Sequence, residues 1–175
     1  MRKLRNSELN RMLPEEYGQA EKWPVVLVLD NVRSMNNVGS MFRTADAFLL
    51  EKIYLCGITA TPPHRDITKT AIGAEKTVPW KYCESSLQAV MDLKEQGYSI
   101  IAIEQAEKSI SLMDIQYPNQ KLAFVLGNEI DGVQQEIVDL SNICLEIPQF
   151  GTKHSFNVAV TCGMILWDYA KYAKG

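Results

Sequence analysis

The sequence predicts an α/β domain with a mostly parallel sheet covered by helices on both faces. Two observations predict this class. Strand-like apolar runs alternate with segments of helical period along the chain, and parallel strands need such crossover segments between them. The length of 175 residues suits one domain with a real core, so we expect a single domain over residues 1–175.

The predicted elements follow from the period of the apolar residues. Six apolar runs predict strands at 25–29, 53–56, 78–82, 99–103, 122–126 and 144–147. Segments of helical period predict helices at about 37–49, 84–96, 133–141 and 155–172, with a shorter one near 67–73. Residues 104–120 contain Pro118-Asn119, which indicates a crossover loop with room for one helical turn.

Composition excludes several classes of protein. Apolar residues make up 46% and charged residues 22% of the chain, which is typical of globular proteins. The charged N-terminus is not followed by the apolar run of a signal peptide, and no apolar stretch is long enough to cross a bilayer. We therefore expect a soluble, cytoplasmic protein.

The 4 cysteines form no Cys-x-x-Cys pair and there are only 2 histidines, so we expect reduced thiols and no metal.

The charge of the chain gives one candidate surface for nucleic acid. A net charge of −3 argues against a broad, positively charged surface that would bind nucleic acid non-specifically. Within the N-terminal segment 1–24, however, Arg2, Lys3, Arg5 and Arg11 form a local basic patch. A solvated, frayed terminus explains this patch equally well.

Three turns after predicted strands are candidate binding sites, because ligands of α/β sheets lie at the carboxyl ends of strands. The first strand leads into a helix whose N-terminus is marked by Asn36-Asn37. Arg43 shares one face of this helix with Gly39 and Ser40, and helical side chains lean toward the N-terminus. We expect its guanidinium to lie over these small residues and to address a phosphate with the helix dipole. A surface arginine paired with Asp46 is the alternative.

In the second turn, after strand 122–126, Gly127 and Gly132 bracket Glu129 and Asp131. Glycine permits positive φ and a close approach of the backbone to a flat ligand, so this loop is a candidate clasp for a nucleoside. Many strand-to-helix turns share the pattern, and the absence of Gly-x-Gly-x-x-Gly argues against a Rossmann dinucleotide site.

In the third turn, a strand stops at Pro148, the chain turns at Gly151, and Ser155 or Asn157 starts the C-terminal helix. Hydroxyl, amide and backbone groups therefore gather at a helix N-terminus, although helix capping alone would also explain them. His154 is a candidate catalytic group by type, but a surface role is favoured because the sequence supplies no partner for it.

The C-terminal helix 155–172 is apolar most of the way round and needs covering on two sides. With the chain ending at residue 175, we expect a homodimer with this helix in the interface. The alternative is that the sheet and the other helices bury it alone.

Together the three turns resemble the three motifs of the SPOUT superfamily, in its SpoU/TrmH-like branch of RNA ribose 2'-O-methyltransferases. The matching segments are 37–47, 124–132 and 147–158, in the right order, and the resemblance extends over about residues 25 to 172. A small-residue segment at 69–75 also fits the pattern.

The resemblance implies a C-terminal deep trefoil knot, which is an exception to the rule that chains avoid threading. It also implies a dimer that transfers a methyl group from S-adenosylmethionine, without metal, to a ribose 2'-hydroxyl in tRNA or rRNA. The implied cofactor-binding residues are Leu126, Gly127, Ile147, Pro148, Ser155 and Phe156. The implied catalytic residues are Asn37, Arg43, Glu129, Ser155 and Asn157. A non-catalytic RNA-binding or assembly protein on the same fold is the alternative.

Within that family the arginine that corresponds to Arg43 has been proposed as general base. A free guanidinium has a pKa above about 12, so we expect Arg43 to orient a phosphate and to stabilise the developing alkoxide instead. Three positions depart from the family pattern: Gln149 replaces a frequent methionine, Phe156 a frequent leucine, and Asn128 a small residue. Only the segment 1–24 precedes the first strand, so we expect target selection to rest on the catalytic domain, this segment or another protein.

Overall fold

Seven parallel strands form one sheet in the computed structural model, which describes residues 1–174. The strands, in chain order β1 to β7, are Trp23–Asp30, Leu50–Cys56, Trp80–Cys83, Ser99–Ile103, Ile110–Ser111, Leu122–Leu126 and Ile143–Glu146. Their order across the sheet is β3-β2-β1-β6-β4-β7-β5. The predicted parallel α/β class is confirmed.

Helices cover both faces of this sheet, as predicted. The helices α1 to α7 are Pro14–Gln19, Met35–Ala47, Arg65–Ala71, Ala74–Thr77, Ser86–Glu95, Gln135–Leu140 and Val158–Lys174. Buried side chains of α1, α2, α3, α4 and α7 form a core with one face of the sheet. Buried side chains of α5 and α6 form a second core with the opposite face.

The structure differs from the sequence prediction at β5, β3 and α1, among other elements. The crossover 104–120 contains the short edge strand β5 rather than a helical turn, and β5 pairs with β7. Strand β3 begins at Trp80 rather than 78, because α4 continues to Thr77. Helix α1 was not predicted; Pro14 occupies its first turn, where a missing N–H costs nothing, and it buries Tyr17.

The crossover segment packs against α7 through Tyr117. The Tyr117 hydroxyl donates to Asp168 Oδ2 at 3.1 Å, and the Tyr172 hydroxyl donates to the Tyr117 carbonyl at 3.0 Å. The Tyr117 and Tyr169 rings meet edge to face with centroids 5.2 Å apart. Within residues 1–174, none of the helices has the length and apolar character needed to cross a bilayer.

The register of the sheet brings four strand ends together. Leu126 of β6 pairs with Leu29 of β1 on one side and with Ile103 of β4 on the other, and Ile103 also pairs with Leu145 of β7. Because the strands are parallel, the loops that follow them leave from the same edge. All three candidate turns therefore meet at this edge.

Candidate active site at the carboxyl edge of the sheet

A cavity of about 550 Å³ lies among the loops that follow β4, β6 and β7. Most of the predicted cofactor-binding residues line it, namely Leu126, Gly127, Ile147, Ser155 and Phe156. Pro148 instead lines a neighbouring cavity of about 400 Å³, together with Phe150. Of the predicted catalytic residues, Glu129, Ser155 and Asn157 line the larger cavity, whereas Asn37 and Arg43 do not.

Helix α2 begins at a serine cap. Ser34 has an extended backbone, and its hydroxyl accepts from the Asn37 amide at 3.3 Å. The expectation that Asn36-Asn37 marks the helix N-terminus is therefore wrong by two or three residues. Asn37 lies in the first turn, and this position frees its side chain for contacts with the other loops.

The carboxylate of Glu129 holds the start of α2. Its Oε2 accepts from the Arg33 amide at 2.8 Å, and its Oε1 accepts from the Ser34 amide at 3.0 Å and from Asn37 Nδ2 at 2.9 Å. Partial burial by itself would raise the pKa of Glu129, but these hydrogen bonds together lower the pKa below its usual value. The side chain is therefore an ionised clamp with both oxygens engaged.

Asn37 extends this clamp to the third loop. Its Oδ1 accepts from Asn157 Nδ2 at 3.1 Å, while Asn157 Oδ1 accepts from the amides of Ala159 at 2.9 Å and Val160 at 3.3 Å. Asn157 is thus the cap of α7, which begins at Val158 rather than at 155. One chain of hydrogen bonds, from Glu129 through Asn37 to Asn157, joins the three predicted motifs.

The second loop is closed upon itself. Asn128 and Gly132 exchange two backbone hydrogen bonds, each of 3.0 Å. A Cβ at Gly127 would overlap the backbone of Gly132 and Val133, and Gly132 has a φ of 72°. The turn itself therefore requires glycine at both positions. Both residues also line the cavity, so the approach of a ligand to this loop stays a prediction.

Asn128, one of the departures from the family pattern, adds a further link between loops. Its Nδ2 donates to the Asn31 carbonyl at 2.9 Å, and its Oδ1 accepts from the Ile130 amide at 2.8 Å. The second loop is therefore tied to the loop after β1 both by Asn128 and by Glu129.

Arg43 lies on the exposed face of α2. Among residues 1–174 its guanidinium makes no hydrogen bond or ion pair; Asp46, its expected alternative partner, accepts instead from Thr77 Oγ1 at 2.6 Å. Gly39 is buried, and a Cβ there would overlap Thr70 Oγ1. The expectation that Gly39 clears space for Arg43 is therefore wrong, because this glycine permits close packing of α2 against α3.

Ser155 and His154 are both exposed beside the cavity. The Ser155 hydroxyl makes no hydrogen bond within the part of the chain that the structure describes. The His154 carbonyl accepts from Gln105 Nε2 at 2.7 Å and from Gln149 Nε2 at 3.2 Å. His154 is thus held through its backbone, which leaves its imidazole at the surface.

The charged side chains around the cavity are carboxylates. Its lining includes Glu104, Glu129, Asp131 and Glu146, and contains neither lysine nor arginine. Such a lining favours a ligand that carries positive charge. Among residues 1–174, no group of three or more His, Cys, Asp or Glu side chains is arranged to hold a metal ion.

Sequence reasoning missed Ser34, Glu104 and Gln105. Ser34 was overlooked because Asn36-Asn37 offered a cap of the same chemistry two residues later. Glu104 and Gln105 follow β4, and no glycine marks this turn. The signal available in the sequence was only their position immediately after a buried strand.

The fold and cavity define an α/β domain with a cavity of small-molecule size at the carboxyl ends of parallel strands. The model of the SpoU rRNA Methylase family matches residues 24–167, and the chain belongs to this family. The predicted resemblance to this branch of proteins is confirmed.

Individual relatives agree with this membership. The chain is 34% identical to a 23S rRNA (guanosine-2'-O-)-methyltransferase of Neisseria meningitidis, over 82% of this chain and 56% of the relative. It therefore spans little more than half the length of that protein. The crystal structure of the TrmH/SpoU tRNA modifying enzyme of A. aeolicus matches with a TM-score of 0.80 and 25% identity, over 92% of this chain and 80% of that chain. An AdoMet-bound rRNA methyltransferase from Sinorhizobium meliloti matches with a TM-score of 0.80 and 24% identity, over 87% of this chain and 57% of that chain.

Proposed function

We propose that this protein transfers a methyl group from S-adenosylmethionine to a ribose 2'-hydroxyl in tRNA or rRNA. The observation that carries the proposal is the hydrogen-bonded chain Glu129–Asn37–Asn157, which assembles the three family motifs beside one acid-lined cavity. Family membership supports the reaction class, and the relatives that act on rRNA and tRNA support RNA as the substrate.

The cavity fits the proposed methyl donor in size and charge. Its volume of about 550 Å³ falls within the range of small-molecule sites. When bound, S-adenosylmethionine supplies an electrophilic methyl group on a cationic sulfonium. The carboxylates around the cavity complement its sulfonium and ammonium charges. Leu126, Gly127, Ile147, Ser155 and Phe156 would hold the donor from the cavity wall, with Pro148 shaping the third loop behind them.

The predicted catalytic residues would have separate roles in RNA binding and catalysis. The unpaired Arg43 would bind a phosphate of the RNA and stabilise the alkoxide that develops on the ribose. Asn37 would contact the RNA from a side chain already fixed by Glu129 and Asn157. Glu129 would serve as a positioning group, since both its oxygens accept hydrogen bonds and its lowered pKa makes it a poor base. Ser155 would offer its free hydroxyl to donor or ribose.

We further propose that two copies associate through α7. Val160 and Trp167, seven residues apart on one face of α7, are exposed at 51% and 61%, and Phe156, just before the helix cap, is exposed at 41%. An apolar stripe of this kind favours a partner surface, and a second copy supplies the same stripe. Sedimentation should show dimers for the wild type and for Lys174→Glu, and monomers for Trp167→Glu. Dimers in Trp167→Glu would contradict the interface.

The basic N-terminal segment 1–24 is proposed as an additional RNA contact. Arg2 is paired with Glu8 at 2.5 Å, whereas Lys3, Arg5 and Arg11 have exposed side chains available for phosphate. Replacing the latter three residues by alanine should weaken RNA binding and reduce its salt dependence. We place the reaction in the cytoplasm, where thiols such as the four free cysteines stay reduced.

We also infer that the single domain is closed by a deep trefoil knot in its C-terminal part. The packing of the crossover segment against α7 through Tyr117 supports this inference, because it brings α7 against an earlier connection. Pulling the two ends in optical tweezers should give an extended chain shorter than 175 residues allow. Full extension would contradict the knot.

The reaction itself is tested by incubating the protein with methyl-tritiated S-adenosylmethionine and total cellular RNA. Digestion to nucleosides should place the label in 2'-O-methyl nucleosides, and DNA, which lacks the 2'-hydroxyl, should receive none. Donor binding without transfer would favour the non-catalytic RNA-binding alternative. Absence of donor binding would refute the proposal.

A further inference from the structure

Two neighbouring side chains at the end of β4 each reach one of the loops that frame the cavity. Glu104 Oε2 accepts from the Val133 amide at 2.9 Å, at the end of the second loop. Gln105 Nε2 donates to the His154 carbonyl at 2.7 Å, in the third loop. Both residues line the cavity, yet neither belongs to the three motifs.

Glu104 is built into the turn of the second loop. Its carboxylate occupies the space that a Cβ at position 132 would need, so a side chain there would displace the carboxylate from the turn. Its Oε1 accepts from the Gln105 amide at 2.8 Å, and this bond fixes the direction of the carboxylate. Its own amide donates to the Leu145 carbonyl at 3.1 Å, which anchors the residue to β7.

Gln105 holds a loop that has few other attachments. Residues 150–157 are exposed. In this stretch, the hydrogen bonds to the rest of the described chain are those of the His154 carbonyl, the Asn157 side chain and the Asn157 carbonyl, which accepts from the Thr161 amide of α7. Gln149 also donates to this carbonyl, but it belongs to the same loop, whereas Gln105 connects the loop to the sheet.

We propose that Glu104 and Gln105 are positioning residues that hold the second and third loops in the shape that binds the methyl donor. The inference rests on the proposed function for the identity of the ligand. Its structural part, that one dipeptide holds both loops, stands on the hydrogen bonds alone. Two consecutive residues reach both loops because β4 lies between β6 and β7 in the sheet.

The first test uses the protein without donor. In Glu104→Ala, amide hydrogen exchange at Val133 should rise about tenfold, because the amide loses its acceptor. In Gln105→Glu the amide donor is replaced by an oxygen of the same shape. Trypsin should then cleave after Lys153 about five times faster, since cleavage follows the population of the opened loop. Glu107→Gln, an exposed change in the same segment, is the matched control. Unchanged exchange and cleavage in the two variants would overturn the proposal.

The second test measures affinity for S-adenosylmethionine by calorimetry. Glu104→Ala and Gln105→Glu should each weaken binding about tenfold, as expected for the loss of one hydrogen bond that orders a loop. Glu104→Gln should lose less affinity than Glu104→Ala, because its amide oxygen still accepts from Val133, although its amide nitrogen no longer accepts from Gln105. An equal loss in Glu104→Gln and Glu104→Ala would overturn the positioning role and indicate direct contact of the carboxylate with the ligand. A wild-type protein that binds no donor would refute the proposed function, while exchange and cleavage rates still decide whether the dipeptide holds the loops.

Discussion

The predicted site residues fall into two sets of polar side chains, and they differ in what they contact. Glu129, Asn37 and Asn157 are joined to one another and to backbone amides by hydrogen bonds. The side chains of Arg43 and Ser155 are exposed and make no hydrogen bond within residues 1–174. The joined set fixes the relative positions of three loops, whereas the free set is available to a ligand. The difference separates residues that build the site from residues that would act in it.

The largest expected effect is the loss of methyl transfer when Arg43, a residue of the free set, is replaced. Arg43→Ala should lower methyl transfer about a thousandfold, the loss typical of removing one group that stabilises developing negative charge. The free energy of unfolding should change by less than about 0.5 kcal/mol, since an exposed, unpaired side chain is removed. Single-turnover kinetics and urea unfolding would measure both quantities, with exposed Lys69→Ala as control. Loss of donor affinity in calorimetry would contradict the assignment of Arg43 to the RNA.

A joined residue should affect both stability and activity. Glu129→Ala removes three hydrogen bonds to the start of α2, and we expect unfolding to become easier by about 2 kcal/mol. Transfer should fall about a hundredfold, because a misplaced Asn37 and α2 disturb the alignment of the substrate. Glu136→Ala, which removes an exposed carboxylate that does not line the cavity, is the control. If Glu129→Ala kept its stability but lost activity, Glu129 would belong to the acting set.

A smaller effect distinguishes the two candidate caps of α7. Asn157→Ala should reduce the free energy of unfolding by about 1 kcal/mol, the usual cost of losing an N-cap. Ser155→Ala should leave it within about 0.5 kcal/mol of the wild type, as for an exposed side chain without partners. Urea unfolding of the two variants provides the comparison. The reverse order would show that Ser155 caps the helix.

The sequence predicted the fold more fully than the contacts within the site. The helical period of the apolar residues predicted a helix at 37–49, and the residues of α2 that follow this period, Val38, Met41, Phe42 and Ala45, are buried, because burial depends on local spacing. The role of Gly39 was misread, since its neighbours come from α3. No local pattern distinguishes space left for a side chain from space occupied by another helix.

The same reason applies to the joined residues. The motifs identified Asn37, Glu129 and Asn157 as important, but only the folded chain shows which atoms of these residues meet. Ser34 and Asn36 have similar capping chemistry, and the choice between them depends on where Glu129 binds the helix start. Glu104 carries no sequence signal of its contact with Val133, which is a hydrogen bond between separate loops.

The smallest expected effect is a pH dependence of the free energy of unfolding, which tests whether the charge of Glu129 contributes to the clamp. Because hydrogen bonds lower the pKa of Glu129 below its ordinary value of 4.5, its carboxylate stabilises the fold above that pH, and this contribution is lost as pH falls through the lowered pKa. At neutral pH, Glu129→Gln should be less stable than the wild type, because its amide group presents a donor to the three donors around it. Below the lowered pKa the wild-type side chain also carries a proton, so the difference in unfolding free energy should shrink. The Arg2 guanidinium likewise lowers the pKa of Glu8, so loss of the Arg2–Glu8 ion pair at low pH destabilises the wild type and Glu129→Gln equally. Only the difference in unfolding free energy between the two proteins therefore reports on the clamp. Urea unfolding of the two proteins at neutral and acidic pH measures this difference, and a value that stayed constant with pH would show that the charge of Glu129 does not hold the loops.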